Sequence, residues 1–459
     1  MAYLPNTDAE RTAMLARVGA STAADLFTAI PAALRNPSLD LPPPLSEQDL
    51  VVLLEGLAAR NRSLSTYRSF LGAGVYRRFS PAIVRASISR PEFYTAYTPY
   101  QAEASQGTLQ SIFEFQSMIC ALTGLDVANA SMYDGATAAA EAIVLAVQTT
   151  KRTRIAVTSS AHPETLRVLH TFAEGRHIDI DVIAEQGGRT SPAALAGALN
   201  DQHAAVLVQH PSFLGTLEDL AEIAGIALSQ GALAICSTDL HACAALVPPG
   251  DAGFDVAVGD GQPLGIPASF GGPHVGFMAV REALLRRIPG RLAGMTTDHS
   301  GRRAYTLTLQ AREQHIRREH ATSNICTNHA LIALAATVYM AYMGAGGMRT
   351  IAEVSALRAH HLAARLAEIE GFSLAYPDTP FLWEFVLRTP VDGREFARAL
   401  RESHIIAGLP LGDIDSALDD HVLVCCTELT SPDSIERYVA AAKRVALDAA
   451  EQRVPVATA

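Results

Sequence analysis

One stretch of the sequence has the residue types of a phosphate-binding turn. The segment 129–150, NASMYDGATAAAEAIVLAVQTT, places Asp134 and Gly135 at the corner of a small-residue turn that leads into an alanine-rich helix. Asp134 is suited to cap that helix, and small residues at a helix start let backbone amides approach a phosphate closely. The same composition also suits close packing of a helix on a sheet. The segment therefore predicts either a phosphate cradle or a tightly packed helix.

Two polar residues that follow predicted strands could complete a cofactor pocket. His162 lies in SSAHP and Asp239 lies in STDLH. In sites that hold pyridoxal phosphate (PLP), a carboxylate keeps the ring nitrogen protonated and an aromatic or imidazole ring stacks on the cofactor. Asp239 would be that carboxylate and His162 that ring, although an aspartate after a strand is also often only a helix cap. The predicted pocket consists of Asp134, Gly135, Thr137, His162 and Asp239.

PLP chemistry also requires a lysine that forms a Schiff base, since an arginine stays protonated and cannot do so. That lysine is expected one strand and loop after Asp239, in the segment 259–276, which contains none. The chain has only two lysines, Lys151 and Lys443, and both are expected to be solvated charges on helices. The sequence thus has the layout of a PLP enzyme without the residue that carries the cofactor.

These residues need a sheet whose strand ends meet at one edge. Helical periodicity separates most of a series of apolar, β-branched runs, which lie at 154–159, 178–183, 204–209, 233–238 and 254–259. This alternation predicts an α/β fold with a doubly wound, mostly parallel sheet that binds ligands at the carboxyl ends of its strands. We expect three parts: an N-terminal helical arm at 1–90, a large α/β domain at 91–345 and a smaller C-terminal α/β domain at 346–459.

Composition excludes several classes of protein. The 459 residues are 49% hydrophobic and 18% charged, as in ordinary globular proteins, and the net charge of -11 argues against non-specific binding of nucleic acid. The longest apolar run, 330–343, is shorter than a bilayer span, so we expect a buried helix and a cytoplasmic protein. The six cysteines include no C-x-x-C pair and are expected to be small core residues rather than metal ligands or disulfides.

Five strings of sequence are specific enough to indicate a family. They are LGAGVYRR (71–78), EFYTAYTPYQAEASQGTLQSIFEFQ (92–116), NASMYDGATAAAEA (129–142), PGRLAGMT (289–296) and LQAREQHIRREHATSNICTN (309–328). Over nearly its whole length the chain resembles the P-protein family of the glycine cleavage system, the decarboxylating glycine dehydrogenases, and in particular the alpha subunit of their two-subunit form. The resemblance implies a PLP-transferase-like fold of type I.

The resemblance also implies a division of labour in an α2β2 assembly. In the family, the beta subunit carries PLP on the lysine of a His-Lys-Thr-Phe-x-Ile-Pro segment. Matching on Ile266 and Pro267 places Gln262 at that lysine position, so no catalytic residue is expected on this chain. With its beta subunit the chain would decarboxylate glycine and transfer the aminomethyl group to the lipoyl group of H-protein. The alternative function is a scaffolding or regulatory homodimer without a catalytic partner.

Two polar segments of the family strings are candidates for lining a shared active site or for contacting the beta subunit, because aromatic and arginine residues are enriched at contact centres. Internal packing is the alternative for both segments. The family usually has a lysine where this chain has His320; this is interpreted as neutral drift, although a contact there would become pH-dependent. The candidates are Tyr97, Tyr100, Gln101, Arg317, Arg318, Ser323 and Asn324.

Overall fold

In the central part of the chain, helices and strands alternate as the sequence predicts. The computed structural model describes residues 6–35, 37–325 and 328–453. Its helices are α1 Asp8–Arg17, α2 Glu47–Ala58, α3 Ala82–Ile88, α4 Pro91–Tyr94, α5 Gln106–Thr123, α6 Gly135–Thr150, α7 Pro163–Glu174, α8 Pro192–Ala198, α9 Leu220–Ser229, α10 Leu240–Ala245, α11 Gln314–Arg317, α12 Ala330–Ala367, α13 Gly393–Glu402 and α14 Pro432–Arg453.

The strands are short, and several of them are rich in valine, isoleucine and alanine. They are β1 Arg68–Ser69, β2 Val127–Ala128, β3 Arg154–Thr158, β4 Asp179–Ile183, β5 Glu185–Gln186, β6 Arg189–Thr190, β7 His203–His210, β8 Leu233–Thr238, β9 Val256–Asp260, β10 Gly276–Val280, β11 Leu292–Thr297, β12 Arg303–Thr308, β13 Ser373–Leu374, β14 Glu384–Arg388, β15 Ile405–Ile406, β16 Leu409–Pro410 and β17 His421–Cys425.

The chain divides into two compact units, 1–62 and 63–459. The first unit holds α1 and α2. Thr7 caps α1 by accepting a hydrogen bond from the Glu10 amide in a capping box. None of residues 6–35 and 37–62 is buried, so the apolar side chains of Leu53 and Leu54 are exposed. The arm predicted for residues 1–90 and the boundary predicted at 345 stay predictions.

A seven-stranded sheet forms the centre of the second unit, in the order β2-β10-β9-β8-β7-β3-β4. The strands β9, β8, β7, β3 and β4 run parallel, and β10 is antiparallel to both β9 and β2. The run predicted at 254–259 becomes a strand only from Val256. The predicted doubly wound, mostly parallel sheet is confirmed, and its connecting helices place polar strand-end residues along one edge.

The alanine-rich helix α6 packs directly on this sheet. Nine of its residues, from Ala138 to Ala146, are buried, and they contact β7, β9 and β10. Alanine allows this close approach because its side chain adds little volume between helix and strands, while it also has the highest helix propensity. Lys151 ends the helix in the left-handed conformation. The packing role that the sequence left open for these small residues is therefore confirmed.

The helix α12 combines the apolar run at 330–343 with a second helical pattern, which the sequence predicts at about 350–370. Gly344 separates the two halves with φ 62° and ψ 176°, a backbone conformation that glycine adopts readily. By length and composition α12 could cross a membrane, yet fifteen of its residues are buried within the protein. It packs against α3, α5 and α10, as expected of a core helix.

The C-terminal part contains an antiparallel sheet in the order β13-β14-β17-β16. Strand-like runs at 381–388 and 421–427 of the sequence predict two strands here, and the structure has the shorter strands β14 and β17. Helices α13 and α14 pack together through Phe396 and Tyr438, which are both buried. The short strand β1 pairs with β15, so the segment that follows residue 67 is held by the C-terminal part.

Candidate functional site

A cavity of about 500 Å³ lies at the carboxyl ends of β3, β7, β8 and β9, beside the start of α6. This is the position at which parallel α/β sheets bind ligands. Four of the five predicted pocket residues line the cavity, and the fifth, Thr137, is hydrogen-bonded to one of them through its amide at 2.8 Å. The structure thus brings together Asp134, Gly135, Thr137, His162 and Asp239.

Carboxylates already accept hydrogen bonds from the backbone amides at the start of α6. Asp134 caps the helix, and its Oδ1 accepts from the Thr137 amide. The Gly135 amide donates to Oδ2 of Asp260 at 3.0 Å. A Cβ atom on Gly135 would lie 3.0 Å from the Asp260 nitrogen, so glycine permits this close approach. Two of the first three amides that could bind a phosphate are therefore occupied by side chains of the chain itself.

Asp260 accepts three hydrogen bonds, two of them from residues distant in the sequence and one from its own loop. Besides Gly135, the Gln262 amide donates to its Oδ1 at 2.8 Å, and the ring Nδ1 of His274 lies 3.0 Å from its Oδ2. The hydrogen bond to Asp260 raises the pKa of His274, which favours a proton on that ring nitrogen. An anion site is thus built at this end of the cavity, and Asp260 supplies the anion.

His162 is held by hydrogen bonds at both ring nitrogens. Its Nδ1 accepts from the Glu164 amide at 3.1 Å, so Nε2 carries the hydrogen and donates to the Ala73 carbonyl at 3.0 Å. The ring of Phe213 meets it edge-on with centroids 4.8 Å apart. Burial lowers the pKa of His162, so the ring is neutral near pH 7. The ring is therefore positioned by its neighbours without a ligand.

Asp239 performs the helix-capping role that the sequence left as an alternative. Its Oδ1 accepts from the amides of His241 and Ala242 at the start of α10. Burial opposes its charge, but hydrogen bonding to His241 and the positive charge of Arg78 lower its pKa overall. Asp239 is therefore an ionised cap whose carboxylate also borders the cavity.

Gln262 is buried and its side-chain amide is fully used. Its Nε2 donates to the carbonyls of Ile266 and Tyr76 at 2.7 and 3.4 Å, and its Oε1 accepts from the Tyr76 amide at 3.2 Å. These bonds join the loop after β9 to the segment 71–78. Gln262 thus has a structural function at the position that the resemblance assigns to the missing lysine.

The residues of this cavity do not fit PLP. Neither lysine of the chain reaches it, since Lys443 is exposed on α14 and Lys151 lies at the far end of α6, about 24 Å along the helix axis from Gly135. A phosphate at the start of α6 would lie against two carboxylates, those of Asp134 and Asp260. The cavity therefore has neither the covalent anchor nor a free anion site for that cofactor.

None of the other candidate residues lines the cavity, and most of them are exposed. Tyr97 and Tyr100 are 76% and 63% exposed, and the guanidinium of Arg291 lies 5.0 Å from the ring centre of Tyr100. Gln101, Arg317, Arg318 and Asn324 are exposed as well, whereas Ser323 is half-buried and its hydroxyl accepts from the Ile325 amide. His320 is 76% exposed beside Glu319. Their role at a partner contact stays a prediction.

Most cysteines occupy the core positions that the sequence predicts. Cys236, Cys243, Cys425 and Cys426 are buried free thiols and Cys120 is half-buried, while Cys326 lies outside the described residues. Within residues 6–35, 37–325 and 328–453, no group of three His, Cys, Asp or Glu side chains is arranged to hold a metal ion.

Two polar residues of the cavity, Asp260 and His274, do not figure in the predicted pocket. Asp260 ends β9, so the strand-end rule that identified Asp239 could also have identified it. His274 has no comparable signal, because it lies in a glycine- and proline-rich loop. Their pairing depends on a contact that only the folded chain creates.

Comparison with known proteins gives consistent results over almost the full length. The family model of the glycine cleavage system P-protein matches residues 1–441. The chain is 48% identical over 443 residues to the probable glycine dehydrogenase (decarboxylating) subunit 1 of Thermomicrobium roseum, with 96% of this chain and 99% of that one covered. It is 47% identical to the protein of the same name from Moorella thermoacetica, with 97% and 100% covered.

Solved structures agree with the sequence comparisons. A crystal structure of glycine decarboxylase (P-protein) of the glycine cleavage system, in inhibitor-bound form, matches with a TM-score of 0.89 at 43% identity and covers 97% of this chain and 100% of that chain. The Burkholderia pseudomallei sphingosine-1-phosphate lyase matches with a TM-score of 0.63 at 15% identity over 92% of this chain and 96% of that one, which shows the fold alone. The predicted type I PLP-transferase-like fold is thereby confirmed. With a family model, relatives and a solved structure in agreement, the chain belongs to the glycine cleavage system P-protein family.

Proposed function

We propose that this chain is the alpha subunit of a heteromeric glycine decarboxylase and carries no PLP. Together with a homologous beta subunit it decarboxylates glycine and transfers the aminomethyl group to the lipoyl group of H-protein. The observation that carries the proposal is the cavity of a PLP fold in which Gln262 is buried and hydrogen-bonded at the expected lysine position. The name "subunit 1" of the relatives supports a partner subunit.

The beta subunit holds PLP in this proposal, in an α2β2 assembly located in the cytoplasm. The alpha chain supplies surfaces that complete the partner's site and receive H-protein. Exposed aromatic side chains of the segment 92–101 support such a contact, because large aromatic side chains exposed on a single chain are frequent anchors of interfaces. The exposed apolar side chains of α2 support a second contact surface.

Cofactor mapping tests the division of labour. The chain is purified alone and co-expressed with the homologous subunit whose sequence contains a His-Lys-Thr-Phe segment. Each sample is reduced with borohydride in the presence of PLP, and the labelled peptides are identified by mass spectrometry. We expect PLP only on the partner's lysine, and release of CO2 from glycine only when both chains and lipoylated H-protein are present.

A matched variant completes that experiment. Alanine in place of the partner's lysine should abolish both the label and CO2 release while the two chains still co-purify. A reducible imine on Lys151 or Lys443 with activity of the chain alone would refute the proposal. A stable homodimer that does not bind the homologous subunit would instead favour the scaffolding alternative.

Tyr97→Ala is expected to weaken association with the beta subunit about tenfold, because an interface aromatic typically contributes more than 1 kcal/mol. Tyr97 is 76% exposed, so the substitution should leave the unfolding midpoint of the isolated chain unchanged. Affinity is measured by titration of one labelled subunit with the other. Tyr342→Ala, at a tyrosine that is 64% exposed on α12, is the matched control. Equal effects of the two variants would argue against a specific contact at Tyr97.

A further inference from the structure

We propose that Asp260 is an internal substitute for a phosphate group and keeps phosphorylated cofactors off this chain. This inference goes beyond the proposed function, because it concerns whether the chain binds a phosphate group. It does not depend on which reaction the assembly catalyses. The absence of a lysine removes only the covalent anchor. Asp260 removes the non-covalent anion site as well, so the exclusion of the cofactor has two independent causes.

The first step of the argument is that an anion site exists. Three hydrogen-bond donors converge on the Asp260 carboxylate. The Gly135 amide comes from the start of α6, the Gln262 amide comes from the same loop two residues later, and the ring of His274 comes from 14 residues later. Gly135 begins a helix of 16 residues, whose start favours negative charge. Helix-start amides with a histidine that can carry a proton form a suitable environment for a phosphate.

The second step is that the chain itself occupies this site. The Asp260 backbone nitrogen and Cβ lie 3.0 and 3.1 Å from where a Gly135 Cβ would be, so the loop lies directly against the helix start. Beside it, the Asp134 carboxylate accepts a hydrogen bond from the Thr137 amide. A phosphate would have to displace Asp260 from its three donors and would still face the charge of Asp134. Both the space and the charge at this end of the cavity oppose it.

The third step is that the remaining cavity is large enough for a pyridine ring. About 500 Å³ remain beside Asp260, bordered by His162 and Asp239. Ring-sized molecules are therefore not excluded by volume, and the phosphate is the part of a pyridoxal-type molecule that Asp260 opposes. Asp260 is the residue that sets this preference.

The test compares pyridoxamine with pyridoxamine 5′-phosphate, which differ only in the phosphate and need no lysine. Isothermal titration of the full-length chain is expected to show no preference of the unsubstituted protein for the phosphorylated probe. Asp260→Ala leaves three hydrogen-bond donors without their acceptor. The variant chain should therefore bind pyridoxamine 5′-phosphate at least tenfold more tightly than pyridoxamine. A tenfold ratio corresponds to about 1.4 kcal/mol.

Two further variants keep the test decisive. Asp260→Asn keeps the side-chain volume and removes the charge, so a gain in this variant supports the charge argument even if Asp260→Ala does not fold. Asp219→Asn changes a capping aspartate of α9 whose side chain accepts from the Glu222 amide, and it should leave the probe ratio unchanged. Inorganic phosphate should raise the melting temperature of the Asp260 variants but not that of the unsubstituted chain.

The proposal is overturned if the unsubstituted chain already prefers the phosphorylated probe tenfold. The proposal is also overturned if the folded Asp260 variants show no greater preference for the phosphorylated probe than the unsubstituted chain does. Neither outcome bears on glycine decarboxylation by the assembly, which the cofactor mapping above tests separately.

Discussion

Replacement of Arg78 by alanine is expected to lower the free energy of unfolding by about 3–5 kcal/mol, as is typical when one partner of a buried ion pair is removed. The Arg78 side chain is 1% exposed, and its NH1 donates to Glu428 and to the Ser355 hydroxyl at 2.9 and 3.0 Å. Its guanidinium also lies 4.6 Å from the ring centre of Trp383. Alanine would leave the Glu428 carboxylate partly buried without its cation and would open a cavity beside the tryptophan.

The neighbouring residue provides a control for this prediction. Arg77 is exposed, so Arg77→Ala should change stability by less than about 0.5 kcal/mol. Urea unfolding of the isolated chain, followed by circular dichroism, measures both variants. Arg78→Lys keeps the charge but not the planar guanidinium, and it should fall between them. A loss below about 1 kcal/mol for Arg78→Ala would show that the buried pair contributes little.

Glu384→Gln is expected to stabilise the chain by about 2–3 kcal/mol at pH 8.5 and to have little effect at pH 5. Glu384 is 3% exposed, and its two oxygens accept from the Tyr76 hydroxyl at 2.6 Å and the Ala73 amide at 2.7 Å. Burial raises the pKa of this carboxyl to about 7. Glutamine has the same shape, accepts from Ala73 in the same way and carries no charge.

The direction of the pH effect follows from where the proton is bound. The folded chain holds the Glu384 proton up to about pH 7, whereas the unfolded chain releases it near its ordinary pKa of 4.5. The stabilisation from this group is therefore complete below pH 4.5 and is lost as the pH rises towards 7. Glutamine cannot titrate, so the difference between the variant and the unsubstituted chain grows over that range.

Urea unfolding at pH 5, 7 and 8.5 measures the Glu384→Gln effect. Glu319→Gln is the control, because Glu319 is 74% exposed and its replacement should change stability by less than about 0.5 kcal/mol. The same difference for Glu384→Gln at pH 5 and pH 8.5 would contradict the prediction, since it would mean that the carboxyl titrates alike in both states.

The contribution of His210 to stability has the opposite pH dependence to that of Glu384. For this reason the effect of Glu384 is measured as the difference between Glu384→Gln and the unsubstituted chain. Burial lowers its pKa from 6.5 to about 4, so the folded chain keeps the ring neutral where the unfolded chain binds a proton. Its contribution to stability is present above pH 6.5 and is lost as the pH falls towards 4. Between pH 4.5 and 6.5 the contributions of Glu384 and His210 change in opposite directions. The pH profile of the unsubstituted chain alone would partly conceal both.

Local signals predicted the central sheet and the position of the cavity. Asp134 caps α6 as predicted, and the helical periodicity of residues 163–174 predicts the range of α7. Capping residues and periodicity are readable because they act over only a few residues. The strand ends that hold His162 and Asp239 meet because parallel strands share one carboxyl edge. These features depend on short-range rules and on a general property of the fold.

Contacts between distant parts of the chain could not be predicted in the same way. The Asp260 carboxylate meets an amide 125 residues away, and Glu384 meets Tyr76 across 308 residues. No local pattern marks such pairs, since the energy of each depends on burial that exists only after folding. Gln262 illustrates the difference: its identity excluded a Schiff base from the sequence alone, whereas its bonds to Tyr76 required the structure.

Most of the long-range hydrogen bonds of the segment 68–78 join it to residues between 355 and 433. Arg68 pairs with Asp433, 365 residues later, and Arg78 pairs with Glu428, 350 residues later. At typical rates of about 5–20 residues per second, roughly 20–70 seconds of synthesis separate Arg68 from its partner. Over this time the residues that bury Phe70 and pair with β1 in the folded chain, Tyr438 and β15, have not been made. We therefore expect a nascent chain to need protection of the segment 68–78 until residues 355–433 have been made.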